Sequence, residues 1–177
     1  VQNVGTALSV YEALYKGKPL YERVLTLSGD CIKEPANLLV RIGTPIRELV
    51  DQCGGFIKEP AKVIVGGPMM GIAQFNLDAP VTKGTTGIIF LSPAMVREYP
   101  EDTCIRCARC VDVCPVRLIP ADMFRITKKS KYDSLGEYNI KDCIECGACA
   151  YECPSKIPIV QWIKLGKLKL PKEKGVK

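Results

Sequence analysis

Eight of the ten cysteines in this 177-residue chain fall into two runs of one pattern. The first is Cys104-x-x-Cys107-x-x-Cys110-x-x-x-Cys114-Pro115. The second, 39 positions later, is Cys143-x-x-Cys146-x-x-Cys149-x-x-x-Cys153-Pro154. Three thiolates within seven residues wrap the backbone around one corner of a cubane and leave amide N–H groups free to face its sulfides. The fourth stands one residue too far for that loop, and the proline behind it turns the chain away. This is the spacing of [4Fe–4S] ligation, and in two-cluster proteins the fourth cysteine serves the other cluster. The expected ligand sets are Cys104, Cys107, Cys110 and Cys153 for one cluster, and Cys143, Cys146, Cys149 and Cys114 for the second.

Other uses of so much sulfur fit less well. Zinc usually takes two C-x-x-C pairs about 15–20 residues apart, and three thiolates packed this tightly do not suit it. A disulfide framework belongs to an oxidising compartment, and no signal peptide opens the chain, so a reducing cytosol is the expected setting. The chain begins without Met, and a fragment or a processed protein is expected. Histidine is absent altogether. That excludes Ser-His and Cys-His nucleophile pairs, H-E-x-x-H zinc sites and Rieske centres, and no catalytic side chain is expected. The apolar stretches Val63 to Ala73 and Gly87 to Val96 are too short to span a bilayer.

Around the runs, the sequence divides by composition. Residues 1–19 read as a loop and a short helix ending at Gly17 and Pro19. Residues 20–97 read as strand, strand, helix, strand, strand. Tyr21 to Ser28 is rich in β-formers, and Leu38, Val40 and Ile42 alternate. Thr44-Pro45 offers a cap and a first-turn proline before Ile46, Leu49, Val50 and Cys53, which share one helix face, and Gly54-Gly55 stops that helix. Lys62 to Val65 and Gly87 to Ser92 supply two more strands. A small sheet with one helix across it, a β-grasp arrangement, fits this order. Cys31 and Cys53 are isolated and expected in the core. Gly66-Gly67-Pro68-Met69-Met70-Gly71 lacks the lysine and hydroxyl of a P-loop and reads as a tight turn. Residues 98–163 hold the two runs, with a helix from Pro120 to Ser130 between them. The fold class expected is therefore α+β: a β-grasp domain followed by a helical two-cluster domain. A lysine-rich tail at residues 164–177 closes the chain.

The formal charge is +6, of which the tail from Lys164 onward contributes +5. No basic face with interleaved aromatics is visible, so nucleic acid is not an expected partner. Two oxidised cubanes with their thiolates would lower the total to about +2. Arg106 and Arg109 flank the first run and Glu145 and Glu152 the second, which predicts that the first cluster is the easier to reduce. Ile157, Val160, Trp162, Ile163 and Leu165 predict a terminal helix docked on the cluster domain. The alternative is that the lysines meet anionic lipid or an acidic face of a membrane protein.

The paired runs, together with Val63-Ile-Val-Gly-Gly-Pro-Met-Met-Gly71 and Pro80-Val-Thr-Lys-Gly-Thr-Thr-Gly87, closely resemble the RnfC family, a component of the Rnf electron-transport complex. The resemblance covers nearly the whole chain. It implies a soluble-ligand-binding β-grasp (SLBB) domain followed by a two-[4Fe–4S] ferredoxin-like domain. It further implies an upstream domain that binds flavin mononucleotide (FMN) and meets NADH. Asn3-Val4-Gly5-Thr6 is similar to an Asn-Val-Glu-Thr element beside the flavin in respiratory complex I. The glycine-rich flavin and NADH elements themselves are absent here, so no cofactor-binding residue other than the cysteines is assigned. Ala108 stands where ferredoxin runs often carry glycine. The 28 residues between Cys114 and Cys143 resemble an α-helical ferredoxin variant.

On this resemblance the chain is an electron-transfer subunit of a ferredoxin:NAD oxidoreductase. Its partners are the other subunits of a prokaryotic membrane complex, and ferredoxin, on the cytoplasmic side. Two competing readings are a cobalamin reductase of propanediol microcompartments and a scaffold with purely structural clusters.

Overall fold

The computed structural model describes residues 2–96 and 99–170, and the chain divides into two compact units, Val1–Arg97 and Glu98–Lys177. In the first, helix α1 (Val4–Lys16) precedes β1 (Glu22–Gly29), β2 (Ala36–Arg41), α2 (Ile46–Gln52), β3 (Lys62–Val65), β4 (Ile72–Gln74) and β5 (Gly87–Leu91). The sheet order is β2-β1-β5-β3-β4. β1 and β5 run parallel in the middle, with Leu27 opposite Ile88, and the other pairings are antiparallel. This order, with one helix packed across the sheet, is the β-grasp arrangement.

Its core follows from two periods. Leu25 and Leu27 of β1, Val40 of β2, and Ile88 and Phe90 of β5 point to one face at strand spacing. Ile46, Leu49 and Val50 of α2 meet them at helical spacing. Cys31 and Cys53 are fully enclosed in this core, and burial pushes both thiols above their ordinary pKa, as expected of small apolar side chains. The cap of α2 differs from the expectation. Pro45, not Thr44, takes the N-cap position, with no side-chain cap bond, because the preceding residues are already held by the Gly43 and Val81 backbone bonds across the Pro45–Pro80 bridge. Gly54 and Gly55 do end the helix, at φ of 78° and 80°.

The Gly66–Gly71 stretch is a turn, joining β3 to the short strand β4, which the sequence reading omitted. The Gly71 amide donates to the Gly67 carbonyl at 2.8 Å. A Cβ on Gly71 would lie 2.5 Å from both the Gly67 oxygen and Ile64, so only glycine closes this turn. Helix α1 starts earlier than expected: Asn3 caps it by accepting the Gly5 amide at 2.8 Å, and Gly17, left-handed at 62°, ends it. Asn3 to Thr6 thus form a helix start.

The second unit holds α3 (Arg109–Asp112), α4 (Pro120–Lys128), 3-10 turns over Tyr132–Tyr138 and Ile140–Asp142, α5 (Ala148–Tyr151) and α6 (Ile159–Lys169). Helices α4 and α6 pack against each other, burying Met123 and Phe124 from one and Ile159, Val160 and Ile163 from the other. Gly166 sets their approach: a Cβ there would lie 2.6 Å from Thr127 Oγ1 and 2.9 Å from Ile140. The 3-10 turns add Leu135 and Ile140 to the same core, fully buried. Helix α6 runs unbroken past position 164, so Lys164, Lys167 and Lys169 are helical; Lys172, Lys174 and Lys177 lie outside the described residues.

Candidate metal centre

Each cysteine run begins as a loop and closes in one helical turn, α3 in the first and α5 in the second. What shapes the loops is a repeated use of left-handed backbone. Arg106 and Glu145 both have φ of 57°; Ala108 and Gly147 have 63° and 87°; Arg117 and Lys156 have 55° and 51°. All three pairs are separated by the same 39 positions as the cysteines. Left-handed residues reverse the direction of successive peptide planes, which lets consecutive amides converge on one point. Two of these amide-to-sulfur contacts are present: Leu118 N–H donates to Cys114 Sγ at 3.3 Å, and Glu145 N–H to Cys143 Sγ at 3.4 Å.

The last cysteine of each run lies with the first three of the other. Ser155, just past Cys153, donates its hydroxyl to the Thr103 carbonyl at 2.9 Å, and the Asp102 amide donates to the Ser155 carbonyl at 3.0 Å. These bonds bring the end of the second run beside the start of the first. A cavity results, lined by Cys104, Cys107, Cys110 and Cys153 with Ala121, Phe124, Ile157 and Ile159. A second is lined by Cys114, Cys143, Cys146 and Cys149 with Leu118, Met123, Val160 and Ile163.

The donor set and the walls suit an iron–sulfur group. Four thiols ring each cavity; Arg106 and Ser155 also edge the first and Glu145 the second, and the rest of the walls is apolar. Among the described residues no three Cys, Asp or Glu side chains converge tightly enough to hold a single ion. The four cysteines lining each cavity would hold a [4Fe–4S] group, one thiolate to each of its four irons. Burial pushes the Cys149 thiol up to about 12, with Cys143 and Cys146 adding to the effect, and burial also raises Cys110. Cluster binding must therefore expel protons from these thiols, as metal–thiolate formation generally does.

Sequence reasoning missed the lysines of α6. Lys167 Nζ donates to the Cys143 carbonyl at 2.5 Å and to Glu145 Oε1 at 2.9 Å, while Lys164 Nζ lies 3.9 Å from Glu145 Oε2. The charge contrast that ranked the two clusters therefore weakens, because the acid beside the second run is neutralised by lysines the sequence placed in a tail. Helical spacing from Val160 and Ile163, which face the second cavity, was the available signal. Arg106 and Arg109 make no ion pair among the described residues and are exposed.

Comparison with known proteins now bears on this geometry. Residues 24–73 match the SLBB domain and residues 103–157 the 4Fe-4S dicluster domain. The chain is thus an SLBB–dicluster protein, and the α+β class and the family resemblance both hold. Its relatives are C subunits of ion-translocating oxidoreductase complexes. It is 53% identical over 165 residues to that of the proton-translocating ferredoxin:NAD(+) oxidoreductase of Clostridium ljungdahlii, covering 93% of this chain and 36% of that protein. It is 48% identical to the counterpart from the Na(+)-translocating ferredoxin:NAD(+) oxidoreductase of Acetobacterium woodii, covering 94% and 38%. Identity to the counterpart from the ion-translocating oxidoreductase of Rhodobacter capsulatus is 44%, covering 100% and 34%. The chain is homologous to the SLBB and dicluster portion of RnfC, and it spans about a third of the length of these relatives. No helix among the described residues is long and apolar enough to cross a membrane.

Proposed function

We propose that this chain relays single electrons through two [4Fe–4S] clusters within a membrane-associated ferredoxin:NAD oxidoreductase of the Rnf type. Cys104, Cys107, Cys110 and Cys153 hold one cluster; Cys143, Cys146, Cys149 and Cys114 hold the other. The observation that carries this reading is that each cavity is lined by three cysteines of one run and the last cysteine of its neighbour. A bound cubane supplies one-electron chemistry at each site.

The protein's own part is to hold, orient and exclude. The left-handed positions aim amides at the thiolates and so stabilise added negative charge. Phe124, Met123, Ile157 and Ile163 keep water from the cavity walls, which preserves the reach of those amide dipoles. Two-electron hydride chemistry requires a flavin as intermediary; FMN and NADH are assigned to a domain beyond these residues. The partners proposed are the other subunits of the complex on its cytoplasmic side, and ferredoxin. Residues 1–19 are read as the end of the flavin domain, 20–97 as the SLBB domain and 98–163 as the cluster domain. The lipid role for the lysine-rich segment 164–177 is confined to Lys169 and the lysines beyond it, since Lys164 and Lys167 engage Glu145.

Ligand exchange between runs makes the test. In anaerobically reconstituted protein, with about eight iron atoms per chain, Cys153→Ser should perturb the same electron paramagnetic resonance (EPR) signal as Cys104→Ser. Coincidence of Cys153→Ser with Cys143→Ser would refute the assignment.

A further inference from the structure

Lys167 sits where a charge and a hydrogen bond act on one peptide. Its ammonium donates to the Cys143 carbonyl, which belongs to the peptide Cys143–Ile144. It also donates to the carboxylate of Glu145, whose own amide donates to Cys143 Sγ. Glu145 holds a left-handed φ of 57°, a conformation that is strained for an L-residue and needs outside support. The lysine supplies that support to this loop residue from helix α6. At the matching position of the first run, Arg106 shares the left-handed φ but has no such brace and lies exposed.

We infer that Lys167 is a positioning residue that raises the reduction potential of the cluster held by Cys143, Cys146, Cys149 and Cys114. The inference rests on the proposed ligand assignment. Reduction adds one negative charge at the cavity, and two features of Lys167 favour that charge. Its side chain is 24% exposed, so its positive charge is less screened than that of a freely solvated lysine. Its grip on Glu145 both offsets the nearby carboxylate and keeps the Glu145 amide on the sulfur, and hydrogen bonds to cluster sulfurs are a principal control of potential. Lys164 reinforces the pairing from the previous turn of the same helix. With both lysines counted, the charge around this loop is no longer negative, contrary to what Glu145 and Glu152 alone suggested.

The test is an EPR-monitored redox titration of the full chain, reconstituted anaerobically. Lys167→Met should lower the reduced-to-oxidised ratio of one cluster about tenfold at fixed ambient potential, about 59 mV for a one-electron couple. The cluster affected is the one whose signal changes in Cys143→Ser, and the other should titrate unchanged. Lys167→Arg should restore most of the loss. If Lys167→Met fails to retain iron, Glu145→Gln reads the same charge from the opposite side: it should raise the potential of that cluster alone. Two fully loaded clusters that titrate as in the parent, or that shift together, would overturn the inference while leaving the electron relay standing. Failure to obtain two titrating clusters in the parent chain would instead overturn the relay.

Discussion

Ala108 and Gly147 occupy equivalent places in the two cysteine loops, both left-handed, yet only one of them is the residue that this backbone favours. The left-handed conformation costs an L-residue about 1–2 kcal/mol. Glycine avoids that cost but gives back about 0.5–1 kcal/mol through its greater freedom in the unfolded chain. Ala108 is exposed, so its methyl contributes little packing. Ala108→Gly should therefore stabilise the cluster unit by about 1 kcal/mol. Gly147→Ala should destabilise it by at least as much, because position 147 is also buried. For a domain of this size that is a shift of about 4–8 °C in opposite directions. Trp162, the one tryptophan of the chain, lies in α6 of this unit and reports its melting by fluorescence. A lower melting temperature for Ala108→Gly, or no change for Gly147→Ala, would show that the handedness of these loops does not limit stability.

Three further outcomes follow from the packing. Gly166→Ala should lose about 1–2 kcal/mol, read as a lower Trp162 melting point, because overpacking against Thr127 and Ile140 outweighs the helix propensity gained. Cys53→Ser should leave the iron content unchanged while costing about 1–3 kcal/mol in a chemical melt, since it buries a hydroxyl in the β-grasp core. The Asp30 carboxyl is held below its ordinary pKa by the Ser92 hydroxyl, then the Ser92 amide, with Lys58 adding to them. A depressed folded pKa gives stability that is present above the ordinary carboxylate range and lost as pH falls through the folded value. Asp30→Asn should accordingly lower the melting point at neutral pH and flatten its decline in acid; an unchanged acid limb would refute the role.

The β-grasp unit was legible because its signals are periodic. Leu38 and Val40 alternate, Ile46, Leu49 and Val50 recur at helical spacing, and glycines stand where the chain turns. β4 escaped notice because three residues, Ile72 to Gln74, offer too little alternation to register, and their pairing with β3 depends on the turn that Gly71 permits. In the cluster unit the cysteines were unmistakable, but their setting was not. Leu135 and Ile140 lie in 3-10 turns, where no period marks the buried face. Lys164 and Lys167 read as a solvated tail because a run of lysines near a terminus carries no sign of the acid it meets. Glu145 lies about twenty positions before them in sequence, and the fold, not the sequence pattern, brings the three together.

The two cavities are not separate rooms. Successive residues of α4 face opposite ways, Ala121 and Phe124 into one and Pro120 and Met123 into the other; α6 and the residues before it divide likewise, at Ile157 and Ile159 against Val160 and Ile163. Whatever orders this partition for one occupant has already ordered it for the second, and the last cysteine of each run lines the cavity of the other. Filling the sites is thus a linked equilibrium, and linkage is reciprocal: the first cluster promotes the second by the same factor that the second promotes the first. At substoichiometric iron, the chains should divide into full and empty ones, with few holding a single cluster.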